Sequence, residues 1–452
     1  MTDIALIVLA AGKGTRMKSA LPKVMHRVAG RSLLGHVLSS ASGLLPKQVV
    51  VVAGPDMENV GAEARRYFPD CVVAIQQERK GTAHAVSTAK DSLAGFSGTI
   101  LVLYADVPLI QAASIKALAA KVDTETVAAV LGFEAADPHG YGRLFRAKNG
   151  GIFAIREELD TSAQEKKISL CNSGIFAVNS EVLWKLLPQI KNENAKQEYY
   201  FTDMVELVAK TGLRVGLVTC PEAEVVGVND RIQLSAIEAT LQGQYRRNAM
   251  LGGATLMAPD TVYFSADTKI GTDVVIEPNV FFGPGVTVGD NVHILANSHL
   301  EGASIGSGAR IGPFARLRPG AEIGEEAHIG NFVEVKKAVI GKGAKANHLT
   351  YIGDARVGAG SNIGAGAITC NYDGFEKHLT DIGVNVFVGS NAALVAPVKI
   401  GDGANIAAGS VVTEDVPADS LAITRAELRV KEGWASRYRK MKEARKAAKA
   451  KG

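Results

Sequence analysis

The sequence predicts two folds in one chain: an α/β domain built around a largely parallel sheet, followed by a parallel β-helix. In the N-terminal half, apolar segments the length of a strand alternate with helical patterns, which is typical of a parallel α/β sheet. In the C-terminal half, a large apolar residue recurs every six positions, as at Ile270, Ile276 and Phe282. A helix needs apolar residues every three or four positions and a strand every two, so this period indicates a hexapeptide-repeat β-helix.

The α/β prediction covers residues 4–220. In order, its segments are a strand ALIVLA, a helix through SLLGHVLSSA, a strand VVVVAG, a helix through MENVGAEARRYF, a strand VVAIQQ, a helix through TAHAVSTAK and a strand ILVLYAD. Ligands of such sheets bind at the carboxyl ends of the strands. The loops after Leu9, Ile75 and Tyr104 are therefore the predicted site.

The loop after the first strand, LAAGKGTRM, is a glycine-rich turn. It lacks the third glycine of a dinucleotide-binding motif and the spacing of a Walker loop, so neither NAD binding nor a Walker-type ATPase is favoured. Backbone N–H groups of such a turn can approach phosphates, and Arg16 and Lys23 can neutralise a polyphosphate. The alternative interpretation is an ordinary βα turn with surface cations.

Asp106 ends the apolar strand LVLYAD, so its carboxylate should lie at the functional edge of the sheet. A Mg²⁺ ion that bridges phosphate oxygens needs an oxygen ligand of this kind. Asn229, in GVNDR at the end of the domain, could supply a second oxygen. The alternative for either residue is a helix cap or a turn.

Seven motifs in order resemble the nucleotidyltransferases that make nucleoside-diphosphate sugars: LAAGKGTRM, LPK, QQERKGTAHA, LYADVPL, GYGR, CNSGIF and GVNDR. The resemblance implies a Rossmann-like domain that transfers a uridylyl group from UTP to a sugar 1-phosphate. The implied ligands of the nucleotide are Leu9, Ala10, Ala11, Gly12, Gln76, Gly81 and Thr82, with Arg16 and Lys23 on its phosphates. The implied ligands of the sugar are Gly142, Glu157 and Asn172, with Tyr104 also among the binding residues, while Asp106 and Asn229 would hold Mg²⁺. Glu158 competes with Glu157, because AIREELD has an extra residue nearby.

The six-residue period runs, with slips, from Ile270 to Val412. In such a β-helix each unit forms one face of a triangular prism, the apolar residue points to the axis, and three units close a rung. A small residue often follows the apolar one, and we expect glycine there to turn the corner with backbone angles that a Cβ forbids. The alternative, a glycine-rich linker, has no reason to place apolar residues at a fixed interval.

Two features predict that the β-helix is more than a scaffold. The ladder is interrupted at residues 369–381, TCNYDGFEKHLTD, and loops that leave a rigid scaffold are preferred places for function. Polar residues cluster at and before the break: Arg318, Lys336, His348, Tyr351, Asn362, Asn371, Tyr372 and Lys377. Arg318, Lys336 and roughly Tyr351 are one rung apart, so their side chains should stack along one edge.

His348 is the candidate general base of this second cluster. Three cations beside a histidine suit a sugar phosphate whose amine must lose a proton before it attacks a carbonyl carbon. A lone histidine is more often structural, which is the alternative for His348, but the neighbouring cations favour a catalytic role.

The motifs RLRPGA, NFVEVKKA, HLTYIGDA, NIGAGAITCNYDG and VFVGSN extend the resemblance to nearly the whole chain. Together with the upstream domain they resemble the family of bacterial bifunctional N-acetylglucosamine-1-phosphate uridyltransferases / glucosamine-1-phosphate N-acetyltransferases. The resemblance implies a homotrimer of left-handed β-helices that acetylates glucosamine-1-phosphate from acetyl-CoA and then uridylylates the product for cell-envelope synthesis. The implied substrate contacts are Arg318, Lys336, Tyr351, Asn362 and Lys377. The implied acetyl-CoA contacts are Ala365, Asn371, Tyr372, Ser390, Ala408 and Arg425.

We expect a uridyltransferase domain at residues 1–229, a helical linker at 230–252 and the β-helix at 253–452. The net charge of +4 conceals a basic tail: residues 429–452 hold ten Lys and Arg against two Glu, so the rest of the chain carries −4. Such a tail could contact nucleic acid, a membrane surface or ligand phosphates, but a solvated helix or a disordered end is more usual.

We expect a cytoplasmic protein with no membrane span and no nucleic-acid partner. No apolar run approaches the roughly 18 to 20 residues of a span, and the N-terminus lacks the basic start and cleavage site of a signal peptide. The four cysteines, Cys71, Cys171, Cys220 and Cys370, form no CxxC pattern, which argues against a disulfide framework or a zinc site.

Two other hypotheses stand beside the bifunctional enzyme. One is a single-activity sugar-nucleotide pyrophosphorylase whose β-helix only oligomerises or regulates it. His348 and the 369–381 loop count against that hypothesis. The other is a non-catalytic trimeric scaffold, which the cations and Asp106 of the first domain count against.

Overall fold

The computed structural model describes residues 3–147 and 150–449, which divide into two compact units. One unit contains the chain up to Asn248 together with Tyr263–Ala266, and the other contains Ala249–Val262 and the chain from Asp267 onward. No described helix has the length and the apolar character needed to cross a membrane.

The first unit is an α/β fold. Its strands are β1 (Ile4–Leu9), β2 (Arg27–Val28), β3 (Arg31–Ser32), β4 (Gln48–Ala53), β5 (Val72–Ile75), β6 (Thr99–Tyr104), β7 (Thr126–Glu134), β8 (Gly142–Arg146), β9 (Ile152–Arg156), β10 (Leu170–Asn179) and β11 (Arg214–Thr219). Its helices are α1 (Leu33–Ser42), α2 (Glu58–Arg65), α3 (Thr82–Thr88), α4 (Ala112–Ala120), α5 (Ser180–Leu186), α6 (Met204–Lys210) and most of α7 (Arg231–Leu251), whose last three residues belong to the second unit.

The main sheet of this unit has the strand order β11-β7-β10-β6-β1-β4-β5. Strand β1 pairs in parallel with β4 and β6, and β4 pairs in parallel with β5, whereas β10 runs antiparallel between β6 and β7. The mostly parallel α/β fold that the sequence predicts is therefore confirmed.

Both faces of β1 are buried. Leu6 and Val8 pack into one core with helix α1, while Ala5 and Ile7 pack into a second core with helix α3. Successive side chains of a strand point to opposite faces, so a central strand covered on both sides has to be apolar throughout. This explains why the segment ALIVLA is an unbroken apolar run.

The chain leaves β1 for β4 and β5 on one side and returns to β6 on the other. Ligands of open α/β sheets bind at such a switch point, outside the carboxyl ends of the strands. The segments after Leu9, Ile75 and Tyr104 follow the carboxyl ends of β1, β5 and β6, so the topology brings the three predicted loops to one edge of one sheet.

The second unit is built from short strands. They are β12 (Thr255–Leu256), β13 (Lys269–Ile270), β14 (Val275–Ile276), β15 (Phe281–Phe282), β16 (Thr287–Val288), β17 (His293–Ile294), β18 (His299–Leu300), β19 (Ala303–Ile305), β20 (Arg310–Ile311), β21 (Arg316–Leu317), β22 (Ala321–Ile323), β23 (His328–Asn331), β24 (Glu334–Ile340), β25 (Lys345–His348), β26 (Tyr351–Val357), β27 (Asn362–Ile363), β28 (Ile368–Cys370), β29 (Thr380–Ile382), β30 (Phe387–Val388), β31 (Ala393–Val395), β32 (Val398–Ile400), β33 (Asn405–Ile406), β34 (Val411–Val412) and β35 (Leu421–Ala422). Helix α8 (Trp434–Lys449) follows them, covers most of the basic tail and exposes its described side chains.

These strands stack in parallel along three faces. One face is the row β12-β14-β17-β20-β23-β25-β27-β30-β33-β35, and the longer strands β24 and β26 turn a corner and link the other two rows. Val275 pairs with His293, and His293 pairs with Arg310, so one turn of the coil takes 18 or 17 residues. A turn of this length corresponds to the three hexapeptides per turn that the sequence predicts.

The six-residue pattern forms the inner wall of the coil. Ile270, at its start, is half-buried. The fully buried positions are Ile276, Phe282, Val288, Ile294, Leu300, Ile305, Ile311, Leu317, Ile323, Ile329, Val335, Ile340, Ala346, Ile352, Val357, Ile363, Ile382, Val388, Leu394, Ile400, Ile406 and Val412. The hexapeptide-repeat β-helix is therefore confirmed, and its parallel rows are consistent with the left-handed form.

The glycine after the inward residue has a different role from the expected one. Gly306 and Gly341 lack the positive φ that a corner would need, and that conformation appears two residues later, at Gly308 and Gly343. An added Cβ at Gly341 would instead lie 2.6 Å from the backbone nitrogen of Ala359 on the next rung. The expectation that these glycines turn the corner is therefore wrong. They are required because successive rungs approach each other closely.

The break in the ladder is shorter than the sequence indicates. Thr369 and Thr380 are buried at inward positions, so the excursion comprises residues 371–379. The Thr369 hydroxyl donates to the Gly353 carbonyl at 3.0 Å and accepts from the Gly353 N–H at 2.8 Å. A satisfied hydroxyl can therefore fill the place of an aliphatic side chain, which a search for apolar residues misses.

We predict that Gly341→Ala destabilises the β-helix by about 1 to 3 kcal/mol, because the new methyl group overpacks the space between two rungs. The matched control is Gly243→Ala in helix α7, where an added Cβ meets nothing within 4 Å. That variant should gain about 0.5 to 1 kcal/mol, because alanine costs less than glycine in a helix interior. Calorimetric unfolding of both variants tests the pair, and equal effects would contradict the rung-contact explanation.

Candidate functional site

The loop after β1 folds back onto Lys23. Gly14 has a φ of +60°, and an added Cβ would lie 2.5 Å from the Cβ of Lys23. The position therefore needs glycine both for its left-handed backbone and for the close approach. Arg16 lies in the short 3-10 turn Thr15–Met17, and Lys23 begins the turn Lys23–Met25.

The ammonium group of Lys23 lies between the two predicted metal ligands. It forms a salt bridge with Asp106 Oδ2, and it lies 3.3 Å from Asn229 Oδ1. The N–H of Val228 donates to the Asp106 carbonyl at 2.9 Å, which ties the segment before Asn229 to the end of β6. Three residues from separate motifs therefore meet at one point.

Asp230, not Asn229, is the residue that caps helix α7. Its Oδ1 accepts from the N–H groups of Ile232 and Gln233, each at 2.9 Å. The backbone N–H of Asn229 donates to the Gln233 side chain at 2.7 Å. The Asn229 amide is thus left to face Lys23, so the helix-cap alternative does not describe it.

The loop between β5 and α3 packs against the backbone of Tyr199. An added Cβ at Gly81 would lie 2.5 Å from the Tyr199 carbonyl oxygen, which also accepts from the Ala83 N–H at 2.9 Å. The Gln76 side chain is buried beside the same loop, and its Nε2 donates to the Gly81 carbonyl at 3.3 Å. Gln76 and Gly81 are therefore neighbours in the fold.

Tyr104 joins this loop to the end of β6. Its hydroxyl shares a hydrogen bond with the Thr82 side chain, and burial, with the nearby Glu157 carboxylate, raises the pKa of the phenol. The phenol therefore stays protonated. Leu9 through Gly12 border the same edge, where the Ala10 N–H donates to the Val52 carbonyl at 2.8 Å.

The three predicted sugar ligands lie side by side. Gly142 on β8 pairs with Asn172 on β10. An added Cβ at Gly142 would lie 3.4 Å from both carboxylate oxygens of Glu157, which follows β9. The Thr202 hydroxyl donates to Glu157 Oε1 at 3.2 Å, and burial raises the pKa of the Glu157 carboxyl.

Glu158 points to a different partner. It forms a salt bridge of 2.8 Å with Nη1 of Arg143, a fully buried arginine, and lies 3.7 Å from the Lys166 ammonium. It also accepts from the Gly140 N–H at 3.3 Å. Glu158 therefore neutralises a buried cation, whereas Glu157 is the carboxylate beside Gly142.

In the second unit, Arg318 and Lys336 lie next to each other on adjacent rungs, because Leu317 pairs with Val335. Tyr351 is two residues out of line with them, since it pairs with Glu334. Its ring compensates by folding over Gly353, where an added Cβ would lie 2.2 Å from the Tyr351 hydroxyl oxygen. Gly353 is the register partner of Lys336, so the Tyr351 hydroxyl lies in line with Arg318 and Lys336, as predicted.

The loop at 371–379 adds a further cation. Lys377 lies against Lys336, and this contact, together with partial burial and the positive charges of Lys377 and Arg318, lowers the pKa of the Lys336 ammonium. Arg318 Nη1 is paired with Glu334 at 2.7 Å. Two lysines in contact are mutually repelled unless an anion joins them, so this cluster is suited to a phosphate.

His348 ends β25, and its Nδ1 lies 2.7 Å from Oδ1 of Asn331 on the preceding rung. Asn362 begins β27 on the following rung, where it pairs with Lys345. The Asn371 side chain donates to the Asp354 carboxylate. The backbone of Tyr372 forms an antiparallel β-bridge with that of Lys377 across the base of the loop.

Four of the six residues assigned to acetyl-CoA form a column, one on each rung. The Ala365 carbonyl accepts from the Asn391 N–H at 2.8 Å, and the Ser390 carbonyl accepts from the Gly409 N–H at 2.8 Å. At the end of the column, Arg425 Nη1 donates to the Ala408 carbonyl at 2.5 Å. Ala365, Ser390, Ala408 and Arg425 thus follow one edge of the coil.

Comparison with known proteins covers both units. Residues 6–167 match the family described as the MobA-like NTP transferase domain, and residues 267–302, 302–337 and 380–414 match the bacterial transferase hexapeptide family. The bifunctional protein GlmU of Azorhizobium caulinodans is 53% identical over 437 residues, which cover 97% of each chain. Bifunctional GlmU proteins of Paramagnetospirillum magneticum and Rhodospirillum rubrum are 53% and 54% identical, over 99% and 97% of this chain and 99% and 98% of their own lengths.

The chain belongs to the GlmU family of bifunctional proteins. The family resemblance seen in the motifs is thereby confirmed, and so is the enzyme class. As a member of this family the chain is a bifunctional transferase, with a nucleotidyltransferase unit for uridylyl transfer and a hexapeptide-repeat unit for acetyl transfer.

Sequence analysis missed some residues of these two clusters. Arg79, inside the motif QQERKGTAHA, donates from Nε to the Ala11 carbonyl at 2.6 Å and so closes the loop after β1. Asn331 lies 17 residues before His348, as Asp354 does before Asn371, and each pair is in hydrogen-bond contact. Stepping back one rung from each predicted residue would have found both.

The two glutamates should respond in opposite ways to neutralisation. Glu158→Gln should lower stability by about 1 to 3 kcal/mol, because it leaves the buried Arg143 guanidinium unpaired. Glu157→Gln should leave stability unchanged near pH 4.5 and raise it increasingly at higher pH. The raised pKa of Glu157 means that ionising it in the folded chain costs stability above the ordinary glutamate pKa of 4.5.

Thermal unfolding of the two variants and the parent from pH 4.5 to 8 measures both effects. A Glu157→Gln variant that loses stability as the pH rises, or a Glu158→Gln variant as stable as the parent, would contradict these assignments.

Proposed function

We propose that the chain makes UDP-N-acetylglucosamine in two steps, one in each unit. The second unit transfers an acetyl group from acetyl-CoA to the amine of glucosamine-1-phosphate. The first unit joins the resulting N-acetylglucosamine-1-phosphate to UTP and releases pyrophosphate. The observation that carries the proposal is that each unit gathers its own cluster of functional side chains, one around Lys23 and one around Lys336 and His348.

In the first unit a phosphate oxygen of the sugar phosphate attacks the α-phosphorus of UTP. The bond from that phosphorus to the bridging oxygen breaks, and pyrophosphate leaves with the electron pair. This displacement needs alignment and neutralised charge and no protein nucleophile. Arg16 and Lys23 supply the positive charge, while the glycine loop after β1 offers backbone N–H groups to the phosphates.

Asp106 and Asn229 fit a Mg²⁺ ion. Their side-chain oxygens converge on one cation, the Lys23 ammonium, and a carboxylate with an amide oxygen is a donor set that Mg²⁺ accepts together with substrate phosphates. A bound Mg²⁺ would neutralise phosphate charge in this reaction. Lys23 would then turn from the carboxylate to the phosphates.

Gly142, Asn172 and Glu157 suit the sugar. Glycine at 142 leaves the Glu157 carboxylate uncovered on that side, and Asn172 lies opposite Gly142 on the next strand. A carboxylate and an amide together can accept from and donate to hydroxyl and acetamido groups. Gln76, Gly81 and Thr82 would bind the uridine part.

In the second unit His348 Nε2 takes a proton from the amine of glucosamine-1-phosphate. The amine nitrogen then forms a bond to the thioester carbonyl carbon, and the carbon–sulfur bond of acetyl-CoA breaks. The CoA thiolate leaves with the electron pair and receives the proton from the imidazolium, so His348 ends as it began. Arg318, Lys336 and Lys377 would hold the substrate phosphate, with Tyr351 and Asn362 on the sugar.

The column of Ala365, Ser390, Ala408 and Arg425 suits an elongated acetyl-CoA molecule. Adjacent strands lie about 4.8 Å apart, so four rungs extend for roughly 15 Å along the edge. Asn371 and Tyr372, on the loop, would contact the same molecule near its acetyl end.

We also propose a homotrimer that acts in the cytoplasm. Phe314, Phe332 and Leu349 occupy one corner on successive rungs, all are half-exposed or more, and the two phenyl rings stack with centroids 5.2 Å apart. An exposed apolar ridge of this kind marks an association surface. Widely spaced cysteines without CxxC pairs suit a reducing compartment.

Two substitutions should separate the activities. His348→Ala should lower acetyl transfer by at least about a hundredfold, because the general base is lost, while leaving uridylyl transfer to N-acetylglucosamine-1-phosphate at the parent rate. Asp106→Asn should do the reverse, because it removes the charged ligand of the nucleotide site.

Each activity is assayed separately with its own substrates, so each variant carries its own folding control. Acetyl transfer near the parent rate in His348→Ala would refute the assignment of the base. Loss of both activities in either variant would refute the independence of the two sites.

A further inference from the structure

We propose that Asn331 is a positioning residue for acetyl transfer: its side-chain carbonyl holds the Nδ1–H tautomer of His348 and leaves Nε2 free to act as the base. The inference rests on the proposed function, because it presupposes that His348 accepts the proton of the amine. It adds a residue from the preceding rung to the catalytic apparatus.

The contact is built into the register of the coil. Strand β23 pairs in parallel with β25, and Asn331 is the register partner of His348. Their side chains meet at 2.7 Å between Oδ1 and Nδ1, and the Leu349 N–H donates to the Asn331 carbonyl at 3.0 Å. The backbone on both sides of the pair is therefore held, and the imidazole is oriented by a fixed neighbour.

The chemistry of the two atoms decides the tautomer. An amide carbonyl oxygen only accepts hydrogen bonds, so the shared proton must belong to Nδ1 of His348. A neutral imidazole carries one ring proton, so Nε2 has a free lone pair. When Nε2 takes a proton, Nδ1 still donates to Asn331, and the contact lasts through the transfer.

An amide at position 331 has an advantage over a carboxylate. A negative charge at this distance would stabilise the imidazolium form and keep Nε2 protonated to a higher pH. The uncharged Asn331 orients the ring without that penalty. This difference makes Asn331→Asp an informative variant.

Other titratable groups lie on the neighbouring strands. Lys345 lies on β25 itself, His328 lies on β23, and Tyr351 begins β26. Lys345 and His328 are partners three residues before His348 and Asn331, roughly 10 Å along the strands. The next strand, β27, contributes the uncharged Asn362.

The test compares Asn331→Asp and Asn331→Ala with the parent in pH profiles of acetyl transfer. In Asn331→Asp, the acid limb of kcat/KM should move to higher pH by about one unit or more, because the carboxylate favours the imidazolium. At high pH this variant should approach the parent rate, since the carboxylate still accepts from Nδ1–H.

Asn331→Ala should behave differently. Its kcat should fall by about ten- to a hundredfold at every pH, since the ring is no longer held in one tautomer and orientation. The KM values for both substrates should change by less than about twofold, because the phosphate-binding cations are untouched. A residue with only a structural role would not split kcat from KM or move the acid limb.

His328→Gln is the matched control, because it removes the imidazole on β23, the strand that carries Asn331, and should leave the profile unchanged. Uridylyl transfer reports the integrity of each preparation. A parent-like kcat in Asn331→Ala, or an unmoved acid limb in Asn331→Asp, overturns the inference while leaving His348 as the base. If His348→Ala itself keeps acetyl transfer, the proposed function and this inference both fall.

Discussion

Parallel hydrogen bonding between successive rungs is the constraint on which the second unit depends. The register advances by 17 or 18 residues per turn, so a side chain on one rung lies beside a known residue on the next. Arg318 comes beside Lys336, and Asn331 comes beside His348, for this reason alone. The buried apolar rows hold the rungs in place, and the outer surface can then carry polar groups at fixed spacing.

The first unit depends on close approach at the edge of its sheet. Gly14 lets the nucleotide loop reach Lys23, and Gly81 lets the β5–α3 loop reach Tyr199; in each case a Cβ would lie at 2.5 Å from the neighbour. The parallel strands bring the loops to one edge, and the glycines bring them into contact. Lys23 then contacts both Asp106, near the middle of the unit's sequence, and Asn229, near its end.

Sequence analysis predicted the architecture well because both folds have a strict period. The apolar hexad identified the inner wall, and the strand–helix alternation identified the sheet. It was wrong about the glycine that follows the inward residue, because a contact with the next rung leaves no trace in a single hexapeptide. It overran the loop at both ends, because Thr369 and Thr380 fill buried inward positions that a search for apolar residues misses.

The partners of the site residues were harder to predict than the residues themselves. The sequence left Glu157 and Glu158 as competitors, and only the fold separates them, by setting Glu158 against the buried Arg143. Asn331 carries no motif of its own and becomes visible through its register with His348. Contacts that join distant segments depend on tertiary packing, which local pattern does not encode.

If the chain performs its two reactions in sequence, a single coupled assay will show it. The purified protein is incubated with glucosamine-1-phosphate, UTP, Mg²⁺ and acetyl-CoA, and free CoA thiol and pyrophosphate are followed together, with acetyl-CoA omitted in the control. We predict that thiol is released first and that pyrophosphate release requires acetyl-CoA. Pyrophosphate release without thiol release, at the same rate with or without acetyl-CoA, would contradict it.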